Sequence, residues 1–346
     1  MIKVKVSISN APDKINLSQF LGNVSNTYKE CKFYVNEKIK EADYWFIFDQ
    51  VKPDDCECKV GAENVFFLTA EVSHPLDYYS LPRMQNHLKQ FSKIYTCYES
   101  YGGNDIYTLP FLPWMINSNH GDSINLEHPR DYNYFSNLTS INKSKKISVF
   151  CSNRAATEAH KQRIRFVKSL KNHFKDKLDW FGNGINTLPQ KWDGIAPYKY
   201  HIVLENHSSS NVITEKLYDA FLGLSYPIYY GAPNVSDFFS SESMTLIDIK
   251  DLKSSIETIE KLIESKTWEN SLEHIVESKN KCINEFNVYH RMAEICLNSN
   301  KNNKSNHKEH IKLAAFYRPY EARNLISKFS KLLIRAGNKG NFISMS

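Results

Sequence analysis

The 346-residue sequence predicts an α/β protein built from two layers of parallel sheet. At roughly 150 residues per domain, this length corresponds to about two domains. Strand-like runs alternate with helix-like stretches in the first third and again from Lys146, the pattern of a parallel sheet. The polar segment 117–146, rich in Asn and Ser, predicts a linker between two domains, and the alternative is a long loop within one domain. We expect an N-terminal α/β domain with its linker, a second α/β domain and a basic helical tail, over 1–145, 146–300 and 301–346.

In the first third, four runs of apolar, aromatic and β-branched residues are bounded by Asp, Pro, Lys and Gly, which predicts short strands. These runs are Ile2–Ile8, Tyr44–Phe48, Asn64–Thr69 and Lys93–Cys97. The pattern of Tyr79–Phe91, between the last two, fits a short helix.

The second series repeats this alternation over a longer stretch. Its predicted strands are Ile147–Cys151, Leu178–Phe181, Tyr198–Glu205, Tyr226–Tyr230 and Thr245–Ile249. Apolar residues at helical spacing predict helices over Gln162–Phe174, Asn211–Leu224, Ser254–Ser265 and Trp268–Glu285. Asn211 is the expected N-cap of the second of these helices.

The positive charge is concentrated at the end of the chain. The formal net charge is +6, but the segment from Lys301 has ten Lys or Arg residues against two acids, so residues 1–300 carry −2. This asymmetry argues against a general nucleic-acid binder, and no nucleic-acid partner is expected. Tyr320–Arg335 predicts a basic amphipathic helix. That helix could contact an anionic membrane surface or dock on the first domain, and the sequence leaves both open.

Seven cysteines are scattered along the chain without the spacing of a zinc site, which favours reduced thiols. No apolar run approaches the ~18 residues of a membrane span, and the first ten residues contain no hydrophobic signal core. We therefore expect a cytoplasmic protein.

Chemistry-bearing residues are densest in His201–Pro233. A buried-type strand ends there in Glu205 and Asn206, and a Ser-rich loop leads into the helix that is expected to begin near Asn211, with Lys216 one turn into it. Ligands of open parallel sheets bind outside the carboxyl ends of the strands, and helix N-termini favour anions. Lys216 could therefore neutralise a diphosphate and Glu215 could bind a hydroxyl, although a solvated first helical turn would have the same residues.

Several blocks of this segment resemble the signature of the α1,3/4-fucosyltransferase family, glycosyltransferase family 10. The blocks are Leu204-Glu205-Asn206-His207, Val212-Ile213-Thr214-Glu215-Lys216 and Pro227-Ile228-Tyr229-Tyr230-Gly231-Ala232-Pro233. They keep the family's order and spacing, and a weaker likeness extends from about Ile147 to about Phe286. The resemblance implies a GT-B-like fold, in which two Rossmann-like domains face each other across a cleft.

The resemblance also implies roles for individual residues at a GDP-fucose site. Lys216 resembles the family's phosphate-binding lysine, Glu215 the glutamate that holds donor hydroxyls, and Asn206 the donor-site asparagine. Glu205 and Tyr230 belong to the same blocks. Upstream, Asn153 and Arg163 resemble the family's Ser-Asn stretch and diphosphate arginine, with Arg154 and Arg165 as rivals for the latter. His207 and Val212 depart from the usual Ser and aromatic residue, which leaves the donor sugar open.

The resemblance further implies a general base directly after a strand of the first domain. Glu71 follows the predicted strand Asn64–Thr69 and takes this position. Direct displacement with inversion needs a group that removes the acceptor hydroxyl proton. Without the resemblance, Glu71 would be interpreted as a solvated loop carboxylate.

No Asp-x-Asp motif is present, so no metal cofactor is expected to be required, although a divalent metal could stimulate the reaction. The leading hypothesis is fucose transfer, with an α1,3 linkage, to an oligosaccharide acceptor of lipopolysaccharide type, at the inner face of a membrane that the tail at 317–346 contacts. The alternatives are another GDP-sugar donor or a non-catalytic carbohydrate-binding protein.

Overall fold

A computed structural model describes residues 1–9, 17–70, 82–98, 104–118, 130–302 and 307–316. The predicted α/β class is confirmed, because two mainly parallel sheets carry the fold. Among the described residues, no helix is both long and apolar enough to cross a bilayer. The predicted helix over Tyr320–Arg335, the tail segment 317–346 and Glu71 lie outside the described residues.

The strands of the first sheet are Ile2–Ile8 (β1), Thr27–Tyr28 (β2), Cys31–Val35 (β3), Tyr44–Phe48 (β4), Val65–Leu68 (β6), Lys93–Thr96 (β7) and Asp105–Tyr107 (β8). Their order is β2-β3-β1-β4-β6-β7-β8, and the sheet is parallel except for β2. Glu57–Val60 (β5) lies outside this sheet and pairs with Glu309–Lys312 (β14). Two short helices lie between strands of the first sheet in the sequence: Ser18–Leu21 (α1) follows β1, and Pro82–Leu88 (α2) follows β6.

The central strands of this sheet are buried on both faces, as expected for a parallel sheet covered on both sides. All five residues of β4 are buried. Phe46 packs into the larger hydrophobic cluster of the molecule, whereas Trp45 and Ile47 pack into a second cluster on the opposite face. This two-sided burial explains the continuous apolar run of β4.

The strands of the second sheet are Lys145–Phe150 (β9), Leu178–Phe181 (β10), Tyr198–Leu204 (β11), Tyr226–Tyr230 (β12) and Thr245–Leu246 (β13). The sheet is parallel, with the order β10-β9-β11-β12-β13. The helices of this half are Tyr132–Asn137 (α3), Glu158–Phe174 (α4), Trp192–Ile195 (α5), Glu215–Leu222 (α6), Leu252–Glu264 (α7), Thr267–Asn270 (α8) and Leu272–Asn284 (α9).

Several predicted elements have different bounds. The predicted linker contains α3, which Lys279 of α9 holds by donating to the carbonyls of Phe135 and Leu138. The single helix predicted over Trp268–Glu285 is divided at Ser271 into α8 and α9. The predicted strand Thr245–Ile249 keeps only its first two residues.

The chain returns to the first sheet after α9. Val288–Asn302 (α10) packs there, with the Tyr289 ring 5.4 Å from that of Phe33. Beyond β14, the backbone of Phe316 exchanges two hydrogen bonds with that of Val51. The division into 1–145, 146–300 and 301–346 stays a prediction.

Candidate active site

The carboxyl edge of the second sheet collects four of the predicted donor-site residues. The backbone N–H of Glu205, directly after β11, donates to the Tyr230 carbonyl at 2.8 Å, which places the ends of β11 and β12 side by side. Asn206 follows Glu205 and is half-buried. Asn153 lies just beyond the neighbouring β9 and is exposed. Topology therefore brings these residues to the place where parallel sheets bind ligands.

Glu205 is fully buried and is bonded to the start of the following helix rather than to solvent. Its carboxylate accepts hydrogen bonds from the Thr214 backbone N–H at 2.8 Å and from the Thr214 hydroxyl at 2.7 Å. Burial raises the pKa of Glu205, while Lys216 opposes this shift. Because its lone pairs are held inside the protein, Glu205 anchors the loop and helix that carry Glu215 and Lys216.

The expected helix start at Asn211 is wrong. Helix α6 begins at Glu215, and Thr214 is its N-cap, with the Thr214 hydroxyl accepting from the Lys216 N–H at 3.4 Å. Asn211 instead has a φ of +62°, the left-handed conformation that Asn tolerates in turns. The helix N-terminus is therefore set by the contact between Thr214 and Glu205.

Lys216 lies between two carboxylates. Its ammonium is 3.1 Å from Glu215 Oε1 and 3.5 Å from Glu205 Oε2. Burial alone would lower the pKa of Lys216, but the two carboxylates outweigh burial and raise it. Burial would raise the pKa of Glu215, but Lys216 and Lys191 outweigh burial and lower it to about 2. Both side chains are therefore charged at neutral pH, as phosphate and hydroxyl recognition would require.

Arg163 reaches the same edge from α4. Its Nη1 donates to the Leu204 carbonyl at 3.2 Å, and its Nε is buried without a hydrogen-bond partner among the described residues. Burial lowers the pKa of Arg163, but not enough to remove the charge of a guanidinium group. Of the two rivals, Arg165 pairs with Glu158 on the surface, and Arg154 is exposed. Only Arg163 is held against the end of β11.

Position 231 requires glycine, because there is no space for a side chain. A Cβ atom at this position would lie 2.6 Å from Glu205 Cγ and would overlap the Tyr229 hydroxyl. That hydroxyl accepts the Ala232 N–H at 2.9 Å and fixes the turn after β12. The Gly-Ala-Pro turn thus lies directly against the buried glutamate.

The carboxyl edges of the two sheets face each other. Tyr107, the last residue of β8, donates through its hydroxyl to the Ser210 carbonyl at 3.2 Å, in the loop after β11. Val212 of this loop is fully buried in the cluster that contains Cys97 and Tyr98, just beyond β7. Val212 therefore packs against the first half of the chain rather than facing the cleft.

Two further predictions concern the general base and the metal. Glu71 lies outside the described residues, directly after Ala70. No group of three His, Cys, Asp or Glu side chains that could hold a metal occurs within the described segments. The base role of Glu71 and metal-independent catalysis stay predictions.

Sequence analysis missed His160 as a neighbour of the cationic residues. It is 8% exposed, and its Nδ1 is buried without a hydrogen-bond partner among the described residues. Burial, followed by Arg163, Arg154 and Lys216, lowers its pKa to about 4. The three-residue spacing from His160 to Arg163 places both on one face of a helix and could have revealed it.

Comparisons with known proteins show the family to which the chain belongs. Residues 140–316, more than half of the chain, match the family model described as glycosyltransferase family 10 (fucosyltransferase), C-terminal part. The α-(1,3)-fucosyltransferase FucT of Helicobacter pylori is 30% identical over 101 residues, which are 26% of this chain and 21% of FucT. The match thus spans about a fifth of that relative's length.

The fold is similar to that of a solved structure. An α1,3-fucosyltransferase with GDP is 15% identical, with a TM-score of 0.50, and the alignment covers 88% of this chain and 92% of that one. An α1,3-fucosyltransferase with GDP-fucose is 18% identical, with a TM-score of 0.47 and coverages of 78% and 81%. The predicted GT-B-like fold is confirmed. The chain belongs to glycosyltransferase family 10, the fucosyltransferase family.

Proposed function

We propose that this protein is an inverting glycosyltransferase that transfers L-fucose from GDP-fucose to a hydroxyl of an oligosaccharide. The observation that carries the proposal is the placement of Arg163 and Lys216 at the carboxyl edge of the second sheet, within the segment that matches the family. A structure of this fold was solved with GDP, which supports a guanosine diphosphate site here.

In the proposed reaction, the acceptor oxygen forms a bond to the anomeric carbon of fucose as the bond from that carbon to the diphosphate breaks. Glu71 takes the acceptor proton, and GDP leaves with the bonding electrons. Arg163 and Lys216 stabilise the charge that develops on the departing diphosphate. Glu215, whose pKa is about 2, accepts hydrogen bonds from donor hydroxyls as a carboxylate. Asn206, Asn153 and Tyr230 complete the donor side, and no metal is required.

The donor proposal is tested by melting temperature in the presence of nucleotides. A ligand at ~100 times its dissociation constant stabilises the folded protein by about 2.7 kcal/mol. GDP should raise the melting temperature, whereas UDP, CDP and ADP should not, and Lys216→Ala should remove the GDP effect. A response to another nucleotide would end the GDP-fucose proposal, while family membership would be unaffected.

For the acceptor, we propose an α1,3 linkage to GlcNAc or Glc of a surface oligosaccharide, formed on the cytoplasmic side of a membrane. Phe316 is bonded to Val51, three residues after β4 ends, so the basic segment 317–346 begins near the carboxyl edge of the first sheet. This is the edge that also carries Ala70, the residue before Glu71. A tail bound to anionic lipid would thus hold the acceptor side of the cleft near the membrane.

Vesicle binding tests the membrane part of the proposal. The full chain should sediment with vesicles that contain anionic phosphatidylglycerol and remain in solution with neutral vesicles. A variant that lacks residues 317–346 should lose this binding but keep its response to GDP. Equal binding by both proteins would exclude the tail as the membrane contact.

A further inference from the structure

The carboxyl edge of the first sheet contains a buried carboxylate with an unusual backbone conformation. Asp49, directly after β4, is 9% exposed and has a φ of +56°. Left-handed backbone is unfavourable for residues other than Gly, and Asp and Asn tolerate it better than most. A turn at this place does not need a carboxylate, so the identity of the side chain calls for a separate explanation.

Asp49 is bonded to the segment that follows the neighbouring strand, β6. Its backbone N–H donates to the Leu68 carbonyl at 3.1 Å, and its Oδ1 accepts the Ala70 N–H at 3.0 Å. The intervening Thr69 is held from the other side, because its N–H donates to the Tyr95 carbonyl and its carbonyl accepts the Phe111 N–H, both at 2.9 Å. The backbone is therefore fixed up to Ala70, and the side chain of Asp49 makes the last of these bonds.

We infer that Asp49 is a positioning residue for the acceptor half of the reaction, which acts by holding the Ala70 backbone immediately before Glu71. This inference rests on the proposed function, in which Glu71 takes the acceptor proton. A hydrogen bond from a backbone amide to a carboxylate is stronger than one between neutral groups. It fixes the backbone of Ala70, the residue that precedes Glu71 in the sequence. The donor residues Arg163 and Lys216 lie on helices at the edge of the other sheet, and their positions do not depend on this hydrogen bond.

Two substitutions separate the hydrogen bond from the backbone conformation. Asp49→Asn keeps an oxygen that can accept the Ala70 N–H and keeps a residue type that tolerates positive φ. Asp49→Gly keeps the backbone conformation but removes the acceptor. We expect Asp49→Gly to lower kcat by ~100-fold, the loss that a displacement of about 1 Å can cause. Asp49→Asn should retain most of the activity, and the KM for the donor should change in neither variant.

Amide hydrogen exchange at Ala70 provides a readout that does not depend on activity. Exchange should be faster in Asp49→Gly than in wild type and close to wild type in Asp49→Asn, while GDP should raise the melting temperature of all three proteins equally. Unchanged exchange and kcat in Asp49→Gly would overturn the inference. Loss of transfer in Asp49→Asn together with an active Glu71→Gln would also overturn it, because Asp49 would then itself take the proton. If wild type transferred no fucose, the proposed function would fail, and exchange at Ala70 would still show whether Asp49 holds this backbone.

Discussion

Lys216 stabilises the folded protein through the two carboxylates that flank it. The three side chains are at most 28% exposed, so solvent screens them little. Despite its burial, Glu215 has a pKa of about 2 against an ordinary 4.5, and the charge of Lys216 is the largest cause of this lowering, ahead of Lys191. The whole shift corresponds to about 3 kcal/mol at about 1.36 kcal/mol per pKa unit. We expect Lys216→Met to lower the free energy of unfolding at neutral pH by about 3 kcal/mol, at the lower end of the ~3–5 kcal/mol typical for removing one partner of a buried pair.

The loss should become smaller as the pH falls. Because the folded-state pKa of Glu215 lies below its unfolded value, the ionised group stabilises wild type above about pH 4.5, and this contribution disappears as the pH falls toward about 2. In the variant, Glu205 and Glu215 are left together without the cation and bind protons at higher pH. Mild acid therefore reduces the difference between variant and wild type.

Urea unfolding followed by tryptophan fluorescence, at about pH 7 and about pH 5, measures both effects. Lys161→Met is the matched control, since Lys161 forms a surface pair with Glu158 at 3.5 Å and both side chains are more than half exposed. Such pairs contribute about 0–1 kcal/mol, so the control should stay close to wild type. Equal stability of the two variants at both pH values would refute the role given to Lys216.

Three further predictions concern the same edge of the sheet. Arg163→Lys should weaken GDP binding in calorimetry by at least about tenfold, since lysine lacks the forked donors of arginine, whereas Arg165→Lys, on the surface beside Glu158, should leave it unchanged. Gly231→Ala should lower the melting temperature and weaken GDP binding, because the added methyl group would meet Glu205 and Tyr229; a variant with wild-type melting and binding would contradict this. Dialysis against a chelator should leave the transfer rate within about twofold of the untreated protein, because cationic side chains neutralise the diphosphate, and restoration of a lost rate by Mn²⁺ would disprove metal independence.

The sequence patterns of β1 and β4 made these strands predictable: β4 is a continuous apolar run, and β1 alternates apolar residues with Lys and Ser. β1 and β4 match the predicted bounds, since their residues are buried on both faces or nearly so. β14 could not be recognised, because Glu309–Lys312 is polar and forms a strand only by pairing with β5. Helix α10 does have apolar residues at helical spacing, such as Val288, Met292 and Cys296. Its packing on the first sheet is a tertiary contact that no local pattern contains.

The candidate site was predictable in its residue types but not in its internal bonds. The order of the motif blocks placed Glu205, Glu215 and Lys216 together at one sheet edge, and the structure brings them into contact. The sequence did not indicate that Glu205 turns inward to Thr214, because local preference favoured Asn211 as the cap. Asp49 was missed because its hydrogen bond to Ala70 joins the segments that follow two different strands, β4 and β6, and no local pattern shows such a contact.

The most direct test of the proposed transfer is the structure of the product formed from GDP-fucose. The purified full-length protein would be incubated with GDP-fucose and an oligosaccharide that contains GlcNAc, and the product examined by proton NMR, with Glu71→Gln as the inactive control. The account predicts one released GDP per fucose transferred and an α-fucosyl linkage, inverted from the β linkage of the donor. Retention of the donor configuration, or transfer at the wild-type rate by Glu71→Gln, would contradict it.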